Sequence, residues 1–252
     1  CLGSRTVAFT KVLEALSGKH VETLGAKVVL ARVPRTIFGI LAGGALGISG
    51  TLMQSITRNP VADPSILGVN TGASLFVVIG IAYLHISAAS QYIWLAIFGA
   101  LLTTLLVYGV ASLGKEGATP LKLALSGSAV AITLGSLVST IMLPNDKVMQ
   151  NFRFWTVGSI GRATTESIRL IAPFIAVGFL LAMLLASQLN ALALGDEAAS
   201  SLGVNVRFVR AAGTVASVLL CGATTALAGP IGFVGLMVPH IIRLFLGSEM
   251  RL

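Results

Sequence analysis

Residues Arg32 to Pro64 read "RVPRTIFGILAGGALGISGTLMQSITRNPVADP". After Arg35 no charged residue occurs for 22 positions, until Arg58. At about 1.5 Å per helical residue such a run covers about 33 Å, close to the roughly 30 Å hydrocarbon core of a bilayer. The stretch predicts a membrane-crossing helix over 36–56 with Pro34 at its start and two arginines at its mouth. Pro60 and Pro64 push Asn59 and Asp63 out of helical geometry, so the chain turns there.

The same pattern recurs along the 252 residues, of which 55% are hydrophobic and 10% charged. The mean hydropathy of +0.93 lies far above that of a water-soluble domain. Further apolar runs fall at about 66–84, 91–113, 121–143, 170–190 and 211–228, with another at 231–246 interrupted by Pro239 and His240. They show none of the period-two alternation of barrel strands, so the expected class is an all-α polytopic transmembrane bundle. The 28 glycines gather inside these runs, and Gly39, Gly43 and Gly47 share one face of the first span, which predicts close helix packing there.

Four connecting segments differ from the spans. Residues 1–35 are basic and partly amphipathic, too charged to span. Residues 144–169 mix Phe152, Phe154 and Trp155 with charges, which fits a helix lying at the interface. Residues 113–122 form a short loop. Residues 189–210 carry helix-start and helix-stop signals at Gly195, Asp196, Gly203 and Asn205, and predict either two short helices at an elbow or a plain connection.

Several chemistries are excluded. There is no GxxxxGK[ST] phosphate loop, so ATP is not bound through that motif. Cys1 and Cys221, and His20, His85 and His240, lack metal-ligand spacing, and no GxSxG or paired membrane carboxylates point to a reaction. No catalytic, cofactor or metal residue is expected, and no nucleic-acid partner. A structural membrane subunit or an ion-coupled secondary transporter stays open, although no Asp or Glu falls within the assigned spans to hold a coupling ion. A weak repeat relates Gly44, Gly47, Gly50 and Arg58 to Gly229, Gly232, Gly235 and Arg243 at an offset of 185 residues.

Three blocks in this order, "RVPRTIFGILAGGALGISGTLMQSITRNPVADPSILGVNTGA", "LALGDEAASSLG" and "LAGPIGFVGLMVPHIIRL", resemble those of the FecCD-type permeases, membrane subunits of bacterial ABC importers for iron-siderophores, haem and cobalamin. The resemblance covers about Val29 to Arg243. It implies a type II importer permease of ten helices, about seven of them covered here, with 1–252 as a single permease domain lacking the first helix and the last two or so. It implies a dimer with a second copy or a paralogous permease, a separate cytoplasmic ATPase, an extracytoplasmic binding protein, and residence in the bacterial cytoplasmic membrane. Iron-siderophore is the expected cargo, with haem and cobalamin as alternatives.

Residue by residue, the resemblance implies that Arg32 and Arg35 dock the binding protein, where the residues alone fit lipid-headgroup anchors equally well. Asn59 and Val61, with Ala118 and Thr119, become candidates for a gate at the cytoplasmic mouth. Gly195, Asp196, Glu197, Ala199, Ser200, Leu202 and Gly203 become candidates for contact with the ATPase. The same arrangement places seven of the 17 basic residues on the cytoplasmic side, Arg58, Lys115, Lys122, Arg207, Arg210, Arg243 and Arg251, which runs against the usual positive-inside bias.

Overall fold

Pro34 does not begin the first span but lies inside a much longer helix. The computed structural model describes residues 9–17, 23–86, 89–113 and 118–246; Cys1, His20, Lys115 and Arg251 fall outside them. The helices are α1 (Phe9–Leu16), α2 (Leu24–Thr57), α3 (Val69–Tyr83), α4 (Ala89–Ala111), α5 (Pro120–Met142), α6 (Asp146–Thr156), α7 (Thr165–Ala193), α8 (Asp196–Ser201), α9 (Val206–Ala228) and α10 (Val234–Leu246). Short 3-10 turns stand at Pro64–Leu67 and Ile160–Arg162, and no strand occurs among the described residues.

At 34 residues, α2 is about 51 Å long, well beyond the hydrocarbon core. Its N-terminus is capped by Thr23, whose Oγ1 accepts a hydrogen bond from the Ala26 N–H at 3.3 Å. Pro34 therefore sits in the third turn, where it removes one backbone donor. Nearby, the Thr36 hydroxyl donates to the Arg32 carbonyl at 3.1 Å. Arg32 and Arg35 project from a helix that continues past the apolar run, and the expectation that they flank a helix start is corrected.

Among the described residues, five helices are long and apolar enough to cross a membrane: Leu24–Thr57, Ser90–Ala111, Pro120–Met142, Thr165–Ala193 and Val206–Ala228. The expected runs at 66–84 and 231–246 become the shorter α3 and α10. Both start inside the bundle. Gly235, in the first turn of α10, lies against Gly50, two turns before the end of α2, and near Asp63 and Pro64. Asn70, in the first turn of α3, accepts a hydrogen bond from Thr225, close to the far end of α9, at 2.9 Å. The turns that precede α3 and α10 thus meet other helices of the bundle at Gly235, Asp63 and Asn70.

Burial separates the roles of the helices. Of the most apolar window of α9, 78% is buried, against 17% for α5 and 22% for α7. α9 is the central post. Ser49 of α2 and Ser217 of α9 exchange hydrogen bonds at its middle, each hydroxyl donating to the other's carbonyl at 2.7 and 3.1 Å. One apolar cluster joins α2, α3, α4, α6 and α9 around Phe38, Met53, Val77 and Ile93. A second joins α2, α7, α8 and α9 around Ile56, Leu189, Leu192 and Ala199. The expected interfacial segment is α6, which buries Val148, Phe152 and Trp155 and exposes Phe154.

Candidate functional site

The elbow is built from two glycines and a carboxylate. Gly195 has φ 116° and Gly203 φ 80°, values that side chains resist, and between them six residues form α8. Asn205 caps the next helix, its Oδ1 accepting from the Phe208 N–H at 3.1 Å. That helix is α9. The expected second short helix is therefore the first turn of a 23-residue span, entered with Arg207 and Arg210 already in helical register.

Within α8 the candidate residues divide by direction. Glu197, Ser200, Leu202 and Gly203 are exposed, whereas Ala199 is fully buried against the second apolar cluster. Leu194, Leu202 and Phe208 add exposed apolar surface around the elbow. Leu202 is among the sequence candidates; Leu194 and Phe208 are not, because composition alone does not show which apolar residues of the connecting segment stay exposed.

Asp196 faces the other way, into two arginines. Its carboxylate pairs with Arg58 and accepts from the Arg210 guanidinium at 2.9 and 3.0 Å. Arg58 closes α2 in a left-handed conformation, φ 48°, with its N–H turned to the Gln54 and Ser55 carbonyls. Burial, and then the neighbouring Arg210 charge, lower its pKa from the ordinary arginine value. Arg210 is buried, and its Nε has no hydrogen-bond partner among the described residues.

Arg58 carries the chain directly into the candidate gate. Asn59 Oδ1 accepts from the Val61 N–H at 3.1 Å, and its carbonyl accepts from the Ala62 N–H at 3.1 Å. Val61 is left 62% exposed while Ala62 is fully buried. Asp63 then caps the 3-10 turn, Oδ1 accepting from the Ser65 N–H at 2.9 Å. Outside every span assigned from sequence, Asp63 still lies within the bundle beside Gly235. Thr119 caps α5 by accepting from the Lys122 N–H at 3.4 Å, and Ala118 packs beside the main core. Asn59 and Val61 are linked to the elbow through Arg58; Ala118 and Thr119 stand on the separate turn before α5.

At the other end of the bundle, Arg35 is exposed and Arg32 half-buried. The turn Ile160–Arg162 packs there, with Ile160 beside Gly39. Of the three glycines expected to share a packing face, Gly47 meets Val238, Gly39 has only ordinary contact room, and Gly43 has nothing within 4 Å for an added Cβ. Closer approaches occur at Gly50 on Gly235, Gly127 on the Ile66 carbonyl and Gly229 on the Trp155 carbonyl.

One span presents an unusual face to its surroundings. On α5, Ser128, Thr133, Ser136, Ser139 and Thr140 are exposed on one side together with Leu125 and Ile132, each hydroxyl donating to the carbonyl four residues back at 2.8 to 3.1 Å. The exposed face of α7 is instead Val177, Phe179, Leu180, Met183 and Leu184, and that of α4 is Phe98, Leu102, Leu105 and Leu106.

The whole chain, residues 1–252, matches the model of the FecCD transport family. It is 41% identical over 250 residues to the ferric enterobactin transport system permease protein of Escherichia coli (strain K12), covering 99% of this chain and 75% of that protein. With the Fe(3+)-citrate import system permease protein of Bacillus subtilis (strain 168) it shares 44% identity over 218 residues, 86% of this chain and 64% of the relative. With the hemin transport system permease protein of Yersinia pestis it shares 35% over 225 residues, 87% and 67%. The chain thus spans 64% to 75% of these relatives' length. A solved metal-chelate type ABC transporter in an inward-facing conformation has the same fold, with a TM-score of 0.82 over 99% of this chain and 76% of the other at 23% identity. The apolar helices among the described residues and the match over residues 1–252 lead to one conclusion: this chain is a multi-pass membrane protein of the FecCD transport family.

Proposed function

We propose that this chain is the permease subunit of an ABC importer and that two copies, or one copy and a paralogous permease, enclose a translocation pathway along the hydroxyl-bearing face of α5. The observation that carries this reading is the contrast between α5 and the other exposed spans. Five hydroxyls on that side, spaced among Leu125 and Ile132, suit a water-filled path in which each oxygen, its proton already given to the backbone, still accepts a hydrogen bond from cargo. The chain itself is not an enzyme; a separate cytoplasmic ATPase supplies the energy.

The cargo is an iron-siderophore complex, delivered by an extracytoplasmic binding protein to the bacterial cytoplasmic membrane. Relatives named for ferric enterobactin and Fe(3+)-citrate support this class. Relatives named for hemin and cobalamin support the second reading, a permease for one of those chelates. The exposed residues of α8 meet the ATPase, Asn59 and Val61 with Ala118 and Thr119 narrow the cytoplasmic mouth, and Arg32 and Arg35 receive the binding protein.

The test is labelling of single cysteines in the assembled transporter by a membrane-impermeant thiol reagent. Cysteines at Ser136 and Ser139 should react, and react more slowly with cargo trapped, while cysteines at Met183 and Leu184 on α7 should stay unlabelled. Equal protection on both helices would place α5 against lipid and remove the pathway from it.

A further inference from the structure

We propose that Arg58 and Arg210 are positioning residues that use the single carboxylate of Asp196 to fasten the elbow to the inner-mouth turn, so that a push on α8 moves residues 59–63 with it. The proposal rests on the reading of α8 as the contact for the ATPase.

A six-residue helix does not hold its own position. α8 is flanked by Gly195 and Gly203, both in left-handed or otherwise glycine-favoured backbone, and only Ala199 of its six residues is buried. Apolar burial of one methyl is a small restraint on where the helix points. Asp196 supplies a directional one.

The three groups belong to three elements. Arg210 lies on the second turn of α9, the most buried span, and its side chain is 9% exposed, so it is the fixed end. Arg58 is the last residue of the α2 end, its side chain 36% exposed, and it is followed at once by Asn59. Asp196 stands between them at the start of α8. Beyond Arg58 the turn is stiff: Pro60 and Pro64 fix two φ angles, and the Asn59 side chain and carbonyl hold the Val61 and Ala62 N–H groups. Displacement of Arg58 is therefore passed to Val61 with little loss in the intervening backbone.

The charges set which residue to change. With two guanidinium groups on one carboxylate, loss of Asp196 would leave Arg58 and Arg210 facing each other, and loss of Arg210 would remove the buried anchor. Arg58 is the link whose removal leaves Asp196 and Arg210 paired. Asn suits the left-handed backbone at this position while lacking the charge, so Arg58→Asn separates the tie from the cap geometry.

The experiment uses the complete transporter in liposomes, comparing wild type, Arg58→Asn and Arg58→Lys. It reads co-purification of the ATPase, ATP hydrolysis, uptake, and the nucleotide response of an intersubunit bridge from Val61→Cys. With Arg58→Asn the ATPase should stay bound and active. Cargo moved per ATP should fall by about tenfold, within the usual span of coupling between sites. The Val61→Cys bridge should lose its nucleotide response, and Arg58→Lys should regain most of both. An intact complex of Arg58→Asn that moves cargo per ATP as wild type does, with a responsive bridge, overturns the tie alone. If a chain with Arg58 intact and the single substitution Ser200→Cys fails to crosslink to the ATPase, the reading of α8 is wrong and this proposal falls with it.

Discussion

Gly50 of α2 and Gly235 of α10 meet backbone to backbone, so that a Cβ on Gly50 would fall on the Gly235 carbonyl. A side chain of any size there has to push the helices apart. Gly50→Ala should lower stability by about 2 kcal/mol or more, as overpacking of a rigid contact does. Gly43→Ala, with nothing within 4 Å of the added carbon, should stay within about 0.5 kcal/mol of wild type. Thermal unfolding in detergent, read as loss of the monodisperse species, checks the pair. Similar losses from both substitutions would mean that Gly43 is also covered, as by a second copy of the chain.

The elbow offers a comparison one residue wide. Ser200 is exposed and Ala199 fully buried. A cysteine replacing Ser200 should bridge to the ATPase in high yield, and one replacing Ala199 should not. Efficient bridging from both would show that α8 rolls over on docking, and bridging from neither would remove α8 from the interface.

Arg32 and Arg35 give opposite outcomes for the two roles their sequence allows. If they dock an acidic partner, Arg32→Glu/Arg35→Glu should weaken binding-protein affinity by more than the double alanine variant. Each such pair is worth about 0–1 kcal/mol, so four pairs over two permeases total at most about 4 kcal/mol. Wild-type affinity should also fall as salt shortens the screening length toward about 8 Å. Unchanged affinity in a properly assembled complex, with lower membrane insertion, would assign both arginines to lipid.

Hydrophobic runs made the class and most spans legible, and the aromatics among charges marked a separate short helix at α6, because length and composition decide those. Helix ends were less readable. Pro34 carries the signature of a first helical residue, but Thr23 caps the helix eleven positions earlier and the chain passes through the proline. Arg207 and Arg210 made the entrance to α9 look too polar for a span, since nothing local reveals that Arg210 is neutralised by Asp196. The tie between Arg58 and Asp196 joins positions 138 residues apart in the chain and has no local pattern. Glycine spacing told which residues share a face of α2 but not what lies opposite, which is why Gly50 carries the close contact and Gly43 does not. The break before α3 was visible at Pro60 and Pro64, but the interruption expected at Pro239 and His240 is not there: both lie inside the continuous helix α10, and the break falls before it.

If the proposed function holds, this chain carries a chelate through the membrane only when a separate ATPase drives it. Reconstituted with its ATPase and binding protein, it should accumulate an iron-siderophore complex in liposomes on addition of ATP. Omitting either the ATPase or the nucleotide, with or without an imposed proton or sodium gradient, should abolish accumulation. Hemin and cobalamin, offered in parallel with their own binding proteins, distinguish the cargo within the family. Accumulation driven by an ion gradient without ATPase or ATP would contradict the account.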